Sequence, residues 1–137
     1  MMDSETYIPQ LVEEAKRVST HAYAPYSKFK VGAALLTKNG TIFTGCNVEF
    51  ADYLVLHAEL NAIGAAVKDG ETDIYAVAVF SHCSPPVLPC GSCRQKIYEF
   101  SQLHNHDVKI IVVNDEGEQK EYWLSALLPS GDIPVEK

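Results

Sequence analysis

A chain of 137 residues with a formal charge of −7 has room for one hydrophobic core and little that would attract a phosphate backbone. We therefore predict one domain spanning residues 1–137. We expect neither a nucleic-acid nor a membrane partner, because the sequence has no basic cluster and no apolar run of about 20 residues. The start of the chain lacks a signal-peptide pattern, so we expect a cytoplasmic protein whose four cysteines are thiols, metal ligands or redox groups.

The first half of the chain predicts a helix, a β-hairpin and a second helix. Apolar residues recur at three- and four-residue spacing from residue 4 to about residue 21, as in an amphipathic helix. The segments KVGAALLT and GTIFTGCNV flank Asn39-Gly40, a strong hairpin signal, and predict two antiparallel strands. Residues from about 57 to 68 are rich in Ala, Leu and Ile, and Gly70 follows them, which predicts a short buried helix.

The second half alternates strands and helices. DIYAVAVFS predicts a buried strand, CGSCRQKIYEF a helix that starts near Cys90, and VKIIVVN a further strand. QKEYWL predicts a fifth strand, and SALL a last helical turn before Pro129. This order predicts an α/β fold, a three-layer α-β-α sandwich. Its mixed five-stranded sheet would be antiparallel at the hairpin and parallel across the crossovers.

Two cysteines three positions apart, Cys90 and Cys93, begin the helix after the proline-rich loop SPPVLP. Their sulfurs would project from one helix face, and the helix N-terminus favours the thiolate form. A C-x-x-C pair alone is compatible with a metal site, a redox disulfide or coincidence. His57 could be the third ligand of a zinc ion with one position open to water. The alternative for His57 is a core histidine bonded to a backbone carbonyl.

A carboxylate, Glu59, lies two residues after His57 in the apolar stretch LHAELNAI. Burying a carboxylate costs free energy unless it is hydrogen-bonded, coordinated or needed to carry protons. Beside a zinc-bound water, Glu59 would have the last of these roles.

The combination of H-A-E with a later P-C-G-S-C-R-Q matches the pattern H-x-E…P-C-x-x-C of the zinc-dependent nucleobase deaminases. APYSKFKVGAALL, GCNVE and LLPSG also occur in order, and with them the chain resembles the short, homotetrameric cytidine deaminases, to which blasticidin S deaminases are related. The resemblance implies one zinc ion per chain, held by His57, Cys90 and Cys93, with Glu59 as the catalytic proton shuttle. The implied reaction, part of pyrimidine salvage, is hydrolytic deamination of cytidine or deoxycytidine by a zinc-bound hydroxide, which yields uridine or deoxyuridine and ammonia.

The same resemblance implies a set of substrate contacts. Phe29 corresponds to the aromatic residue that packs on the pyrimidine, with simple core packing as the alternative. Asn47 and Glu49 correspond to groups that bond the ribose hydroxyls, although Asn47 could be only a turn residue. Ala58 would offer its backbone to the base.

Three further residues are candidates, and the resemblance implicates two of them. Ala51 and Tyr53 match a stretch that reaches into a neighbouring subunit's site, so we expect a homotetramer with shared active sites. Arg94, directly after the second cysteine, would either hydrogen-bond a zinc thiolate or face solvent.

Four features depart from the family pattern. Most short cytidine deaminases have Cys in place of His57 and Arg in place of Leu60. Three thiolates give zinc a net charge of −1, which an Arg offsets, whereas one imidazole and two thiolates give a neutral centre. Phe50 replaces an Asn, and the interval from Tyr53 to His57 is one residue shorter than usual. Finally, the tail LLPSGDIPVEK lacks an aromatic residue.

These departures leave other functions open. The alternative substrate is a modified cytosine nucleoside such as blasticidin S. A non-catalytic binding protein stapled by zinc is a second alternative, and a transfer-RNA adenosine deaminase is a third, disfavoured by the acidic composition and by CNVE. The remaining candidate ligands receive structural interpretations: His82 and Cys83 as structural residues, His104 and His106 as parts of a solvated turn, and Cys46 as a small core residue.

Overall fold

The amphipathic helix predicted at the start of the chain is α1 (Ser4–Ser19), which ends two residues earlier than expected. The structure, a computed structural model, describes residues 4–131, with side chains from Thr6 onward. The end of the predicted tail, residues 132–137, lies outside the described residues. No helix in this described range is long and apolar enough to cross a membrane.

The centre of the fold is a mixed five-stranded sheet, as predicted. Its strands are β1 (Gly32–Thr37), β2 (Ile42–Cys46), β5 (Ile74–Phe80), β6 (Lys109–Val113) and β7 (Gln119–Trp123). They lie in the order β2-β1-β5-β6-β7. Only β5 and β6 form a parallel pair, and the other neighbours are antiparallel.

Helices cover the two faces of this sheet and give the predicted three layers. On one face α1 packs with Leu11 and Ala15 against alternate residues of the strands, such as Ala34 and Phe80. The other face carries α2 (Ala58–Lys68), α3 (Gly91–His104) and the short α4 (Leu124–Leu127). Because side chains of a strand alternate between faces, buried strands such as β1 supply both cores at once.

A glycine lets α2 approach the sheet closely. A β-carbon on Gly45 in β2 would lie only 2.4 Å from the Ala62 nitrogen and 2.5 Å from the Ala58 oxygen. Helix and strand backbones therefore touch here, at the N-terminal part of α2. This contact fixes the height at which residues 57–59 stand above the sheet.

A small second sheet was not predicted. β3 (Val48–Glu49) and β4 (Val55–Leu56) pair antiparallel, with Glu49 opposite Val55. The loop between them, residues 50–54, closes through a hydrogen bond from the Phe50 N–H to the Leu54 carbonyl. This hairpin ends directly before His57, and Tyr53 in its loop has a left-handed conformation with φ of 72°.

Two histidines interpreted as parts of a solvated turn are instead half-buried. His106 Nε2 lies 2.5 Å from a carboxylate oxygen of Asp73, and His104 Nε2 lies 2.9 Å from the Thr72 hydroxyl. The solvated-turn interpretation is wrong because the end of α3 and the turn after it contact Thr72 and Asp73, the two residues before β5.

Candidate active site

Two helix N-termini meet at one point, and the residues that begin these helices are the predicted metal ligands. His57 is the N-cap of α2, Cys90 is the N-cap of α3, and neither side chain makes a capping hydrogen bond. Ser, Thr, Asp and Asn are the usual N-cap residues because they bond the free amides of the first turn. A histidine at one cap and a cysteine at the other therefore indicate that these side chains have a role other than capping.

The three predicted ligand atoms converge. His57 Nδ1 lies 3.2 Å from Cys93 Sγ and 3.5 Å from Cys90 Sγ, and all three atoms lie within 4.8 Å of one another. Tetrahedral zinc with its usual bond lengths would separate a nitrogen and a sulfur ligand by about 3.6 Å. The donor set of one imidazole and two sulfurs suits zinc among the common ions. Within residues 4–131 these residues form the only such group of possible metal ligands.

The two cysteines differ in their surroundings. Cys93 is fully buried, and burial, followed by the charges of Glu59 and Cys90, raises the pKa of its thiol. Cys90 is exposed to the adjoining cavity. Coordination to a divalent ion removes the proton from a thiol outright, so the high pKa of the free Cys93 does not prevent ligation.

Glu59 is buried in the first turn of α2, close to the three ligands. Burial raises the pKa of its carboxyl, although a hydrogen bond to its own backbone, the His57 charge and a bond to Cys93 oppose this change. A carboxyl becomes a better general acid and base as its pKa rises toward the pH at which the reaction runs. The structure thus places a proton carrier next to a possible metal ion.

A cavity of about 320 Å³ opens directly onto this group. It is large enough for one small ring-containing molecule, and most of its lining is apolar. Its walls come from three parts of the chain: Ser27, Phe29, Val31, Asn47, Glu49, Val55, His57, Ala58, Glu59, Val79, Val87, Leu88 and Cys90.

The structure brings most predicted substrate contacts to this cavity. Phe29, Asn47, Glu49 and Ala58 all line it. Phe29 is partly exposed rather than part of the core. Asn47 is more than a turn residue, because its Oδ1 accepts the Val31 N–H at 2.9 Å and its Nδ2 donates to the Phe29 carbonyl at 2.7 Å.

Glu49 is buried and strongly hydrogen-bonded. Its Oε1 accepts the N–H groups of Tyr26 and Ser27, each at 3.0 Å, and its Oε2 accepts the Ser27 hydroxyl. The Ser27 hydroxyl, then its amide, and then the Tyr26 amide hold the pKa of the carboxyl below its usual value. Glu49 is therefore an ionised acceptor at neutral pH.

Two predicted contacts do not reach the cavity of their own chain. Ala51 and Tyr53 lie in the exposed loop 50–54, and the Tyr53 side chain is 95% exposed. Phe50, which replaces the family's Asn, is also exposed in this loop. Within a single chain, the side chains of this loop are therefore exposed and do not line the cavity.

Arg94 bonds backbone oxygens rather than a sulfur. Its Nε donates to the Pro89 carbonyl at 2.7 Å, and its NH1 donates to the Leu127 carbonyl at 3.1 Å. Arg94 therefore ties the segment before Cys90 to the end of α4.

The other candidate ligands lie away from the group. His82 pairs with Asp115, and Cys83 is held through its backbone carbonyl by Asn114. Cys46, interpreted as a core residue, is only half-buried at the end of β2, where its carbonyl accepts a bond from Asn61.

Several cavity residues were not singled out from the sequence. Val87 and Leu88 belong to the loop before Cys90, and Val55 to the unpredicted β4. No periodicity marks residues of such loops, so their position follows only from the fold. Ser27 lies within APYSKFKVGAALL, but nothing in that motif indicates its bond to Glu49.

Comparison with known proteins agrees with this geometry. A family model of the cytidine and deoxycytidylate deaminase zinc-binding region matches residues 6–109. A cytidine deaminase of Sporosarcina psychrophila is 42% identical over 123 residues, which are 89% of this chain and 88% of that protein. One from Halalkalibacterium halodurans is 42% identical over 120 residues, 87% of this chain and 89% of that one.

A solved structure agrees as well. The crystal structure of a cytidine deaminase from Burkholderia pseudomallei superposes with a TM-score of 0.84 at 37% identity and covers 96% of this chain and all of that chain (100%). An α-β-α fold with a histidine, two cysteines and a carboxylate at two helix N-termini defines a zinc-dependent hydrolytic enzyme. The chain belongs to the zinc-binding cytidine and deoxycytidylate deaminase family.

Proposed function

We propose that this protein hydrolyses cytidine and deoxycytidine to uridine and deoxyuridine with release of ammonia. The observation that carries the proposal is the convergence of His57, Cys90 and Cys93 beside the buried Glu59, at the end of a cavity of nucleoside size. The named activity of its relatives supports the choice of cytidine.

The chemistry divides between the metal and Glu59. A zinc ion held by the three ligands would supply a Lewis acid that makes water nucleophilic at neutral pH. Glu59 accepts one proton from water and delivers it to ring nitrogen 3 of cytosine while the water oxygen bonds to carbon 4. It then takes the second proton from that oxygen and passes it to the amino group, whose bond to carbon 4 breaks as ammonia leaves and the carbonyl of uridine forms. Its burial keeps bulk water from competing for these transfers.

The remaining cavity residues position the nucleoside. Phe29 packs on the pyrimidine ring, and Ala58 presents its backbone to the base. Asn47 and Glu49 bond the ribose hydroxyls, since Glu49 is an ionised acceptor on the cavity wall. Arg94 holds the segment before the metal ligand Cys90 through its hydrogen bond to the Pro89 carbonyl.

We further propose a homotetramer with shared active sites. The loop 50–54 carries exposed Phe50, Tyr53 and Leu54, which one chain leaves uncovered. Such a group of apolar side chains is typical of an interaction surface. In the assembly, Ala51 and Tyr53 would complete a neighbour's cavity.

We place the protein in the cytoplasm, where two thiolate ligands stay reduced.

The decisive test replaces the proton carrier. Glu59→Gln should keep about one zinc per chain but lower kcat for cytidine by about a hundredfold to ten-thousandfold, the usual contribution of a positioned acid–base group. Metal content is measured by mass spectrometry, and turnover by the absorbance change of cytidine. Glu99→Gln, which alters an exposed carboxylate on α3, is the matched control and should leave kcat unchanged.

Two results would contradict the proposal. If Glu59→Gln turned over cytidine as fast as the parent, the mechanism would be wrong. If the zinc-loaded parent released ammonia from blasticidin S or another altered cytosine nucleoside but not from cytidine, the substrate would be wrong.

A further inference from the structure

The Ser27 hydroxyl joins two walls of the cavity. It donates a hydrogen bond to Glu49 Oε2 and accepts the Phe29 N–H at 3.0 Å. The first partner is the carboxylate assigned to the sugar, and the second is the backbone of the aromatic residue assigned to the base. Ser27 itself lines the cavity.

The hydrogen bonds of Glu49 leave it little freedom. An ionised carboxylate has about four lone-pair positions, and the protein fills three of them through Tyr26 and Ser27. Both backbone donors act on Oε1, so the Ser27 hydroxyl is the only described donor to Oε2. The remaining acceptor position is therefore directed by this one hydroxyl.

The backbone around Ser27 also depends on this hydroxyl. Lys28 has a left-handed conformation with φ of 62°, which is uncommon for a residue with a β-carbon. The bond from the Phe29 N–H to the Ser27 oxygen closes the turn across Lys28. The same side chain thus stabilises the turn and aims the carboxylate.

We propose that Ser27 is a positioning residue for the sugar: it orients Glu49 so that one carboxylate position accepts a ribose hydroxyl. This inference rests on the proposed function, in which Glu49 binds the sugar. It predicts that loss of the Ser27 hydroxyl weakens the binding of nucleosides with ribose hydroxyls only. A substrate without these hydroxyls has nothing for Glu49 to bind, so its binding should not change.

The test compares two nucleosides in two variants of Ser27 and one control variant. Ser27→Ala should raise KM for cytidine about tenfold, as expected for a weakened hydrogen bond to a charged group, and change kcat little. For 2′,3′-dideoxycytidine, kcat/KM should change less than about twofold. Ser27→Thr keeps the hydroxyl and should restore most of the cytidine affinity. Thr20→Ala, which removes a hydroxyl bonded to the Arg17 carbonyl outside the cavity, is the matched control.

A merely structural role gives a different result. If Ser27→Ala lowered kcat/KM equally for both nucleosides, the loss would come from the turn or from Phe29, and the inference would be overturned. No loss for either nucleoside would overturn it as well. Adding Lys28→Gly to Ser27→Ala separates an effect on the turn from an effect on Glu49. Glycine relieves the left-handed strain of the turn but supplies no hydroxyl, so the double variant should not regain cytidine affinity.

Binding without turnover keeps this inference distinct from the proposed function. Calorimetric titration of both nucleosides is repeated in the Glu59→Gln background, with and without Ser27→Ala. A parent that binds cytidine but releases no ammonia would contradict the proposed function, while the Ser27 comparison would still be decided. A Glu59→Gln protein that binds neither nucleoside would contradict both.

Discussion

Among the three histidine–aspartate contacts of the described residues, the two shortest differ mainly in exposure. His106 and Asp73 meet at 2.5 Å with side chains 30% and 21% exposed, whereas His82 and Asp115 meet at 2.6 Å with side chains 61% and 42% exposed. Burial alone would lower the pKa of His106, but the bonds to Asp73 and to the Asp107 carbonyl together raise it. Water screens the second pair more strongly, so its contribution to stability should be smaller.

This difference predicts a pH-dependent stability. A histidine whose pKa is raised in the folded state stabilises the protein fully below its unfolded value of about 6.5, and that contribution is lost as the pH rises through the folded pKa. Asp73→Asn should therefore lower the free energy of unfolding by about 1 kcal/mol at pH 6 and by less at pH 9. Asp115→Asn should change the free energy of unfolding less than Asp73→Asn, because water screens the exposed pair. Urea unfolding at both pH values measures this, and an equal loss at pH 6 and pH 9 would contradict it.

The residues at the centre of the site could be predicted, but those of its walls could not. His57, Glu59, Cys90 and Cys93 follow from spacing and from the chemistry of their side chains, and the structure brings all four together. The bond between Ser27 and Glu49 joins residues 22 apart in the chain. Local patterns carry no information on such a pairing, because it depends on how the loop before β1 crosses β3.

Among the elements, the contact of β2 with α2 determines how far His57 and Glu59 lie from the sheet. A methyl group at Gly45 would collide with the backbone of α2, so Gly45→Ala should shift the helix and lower the free energy of unfolding by about 2 kcal/mol or more. Gly64→Ala is the matched change within α2, where a β-carbon meets nothing within 4 Å. It should stabilise the protein by about 0.5–1 kcal/mol through helix propensity. Thermal unfolding and zinc content measure both effects, and a Gly45→Ala protein with normal stability and zinc would contradict the assignment.

Long, periodic elements were predictable and short ones were not. The hydrophobic pattern of α1 and the Asn39-Gly40 turn between β1 and β2 are local signals, and both elements are confirmed. β3 and β4 have two residues each, too few to show any alternation. The contact with Thr72 and Asp73 that half-buries His104 and His106 depends on tertiary packing, which outweighed the polar character of LHNHD.

At the scale of the whole molecule, the exposed loop 50–54 predicts association. Leu54→Asp would place like charges together wherever copies of this loop meet, and should shift the protein toward the mass of one chain with reduced turnover. Sedimentation equilibrium measures the mass. Trp123→Gln removes an exposed aromatic side chain on β7, outside this loop, and should leave the assembly intact. A Leu54→Asp protein with the parent's mass would contradict the proposed role of the loop.

The ligand arrangement also has a consequence for the durability of the fold. α2 packs mainly on β1 and β2 and contacts α3 little, although each helix begins at a zinc ligand. His57 and Cys90 are 33 residues apart in the chain, so an ion bound between them closes a loop of that length, as a disulfide would. In the chain-entropy model, such a cross-link is worth roughly 4 kcal/mol against unfolding. Zinc would then cross-link two helices that make few direct contacts. Loss of the metal would lower the stability of the fold as well as remove the activity.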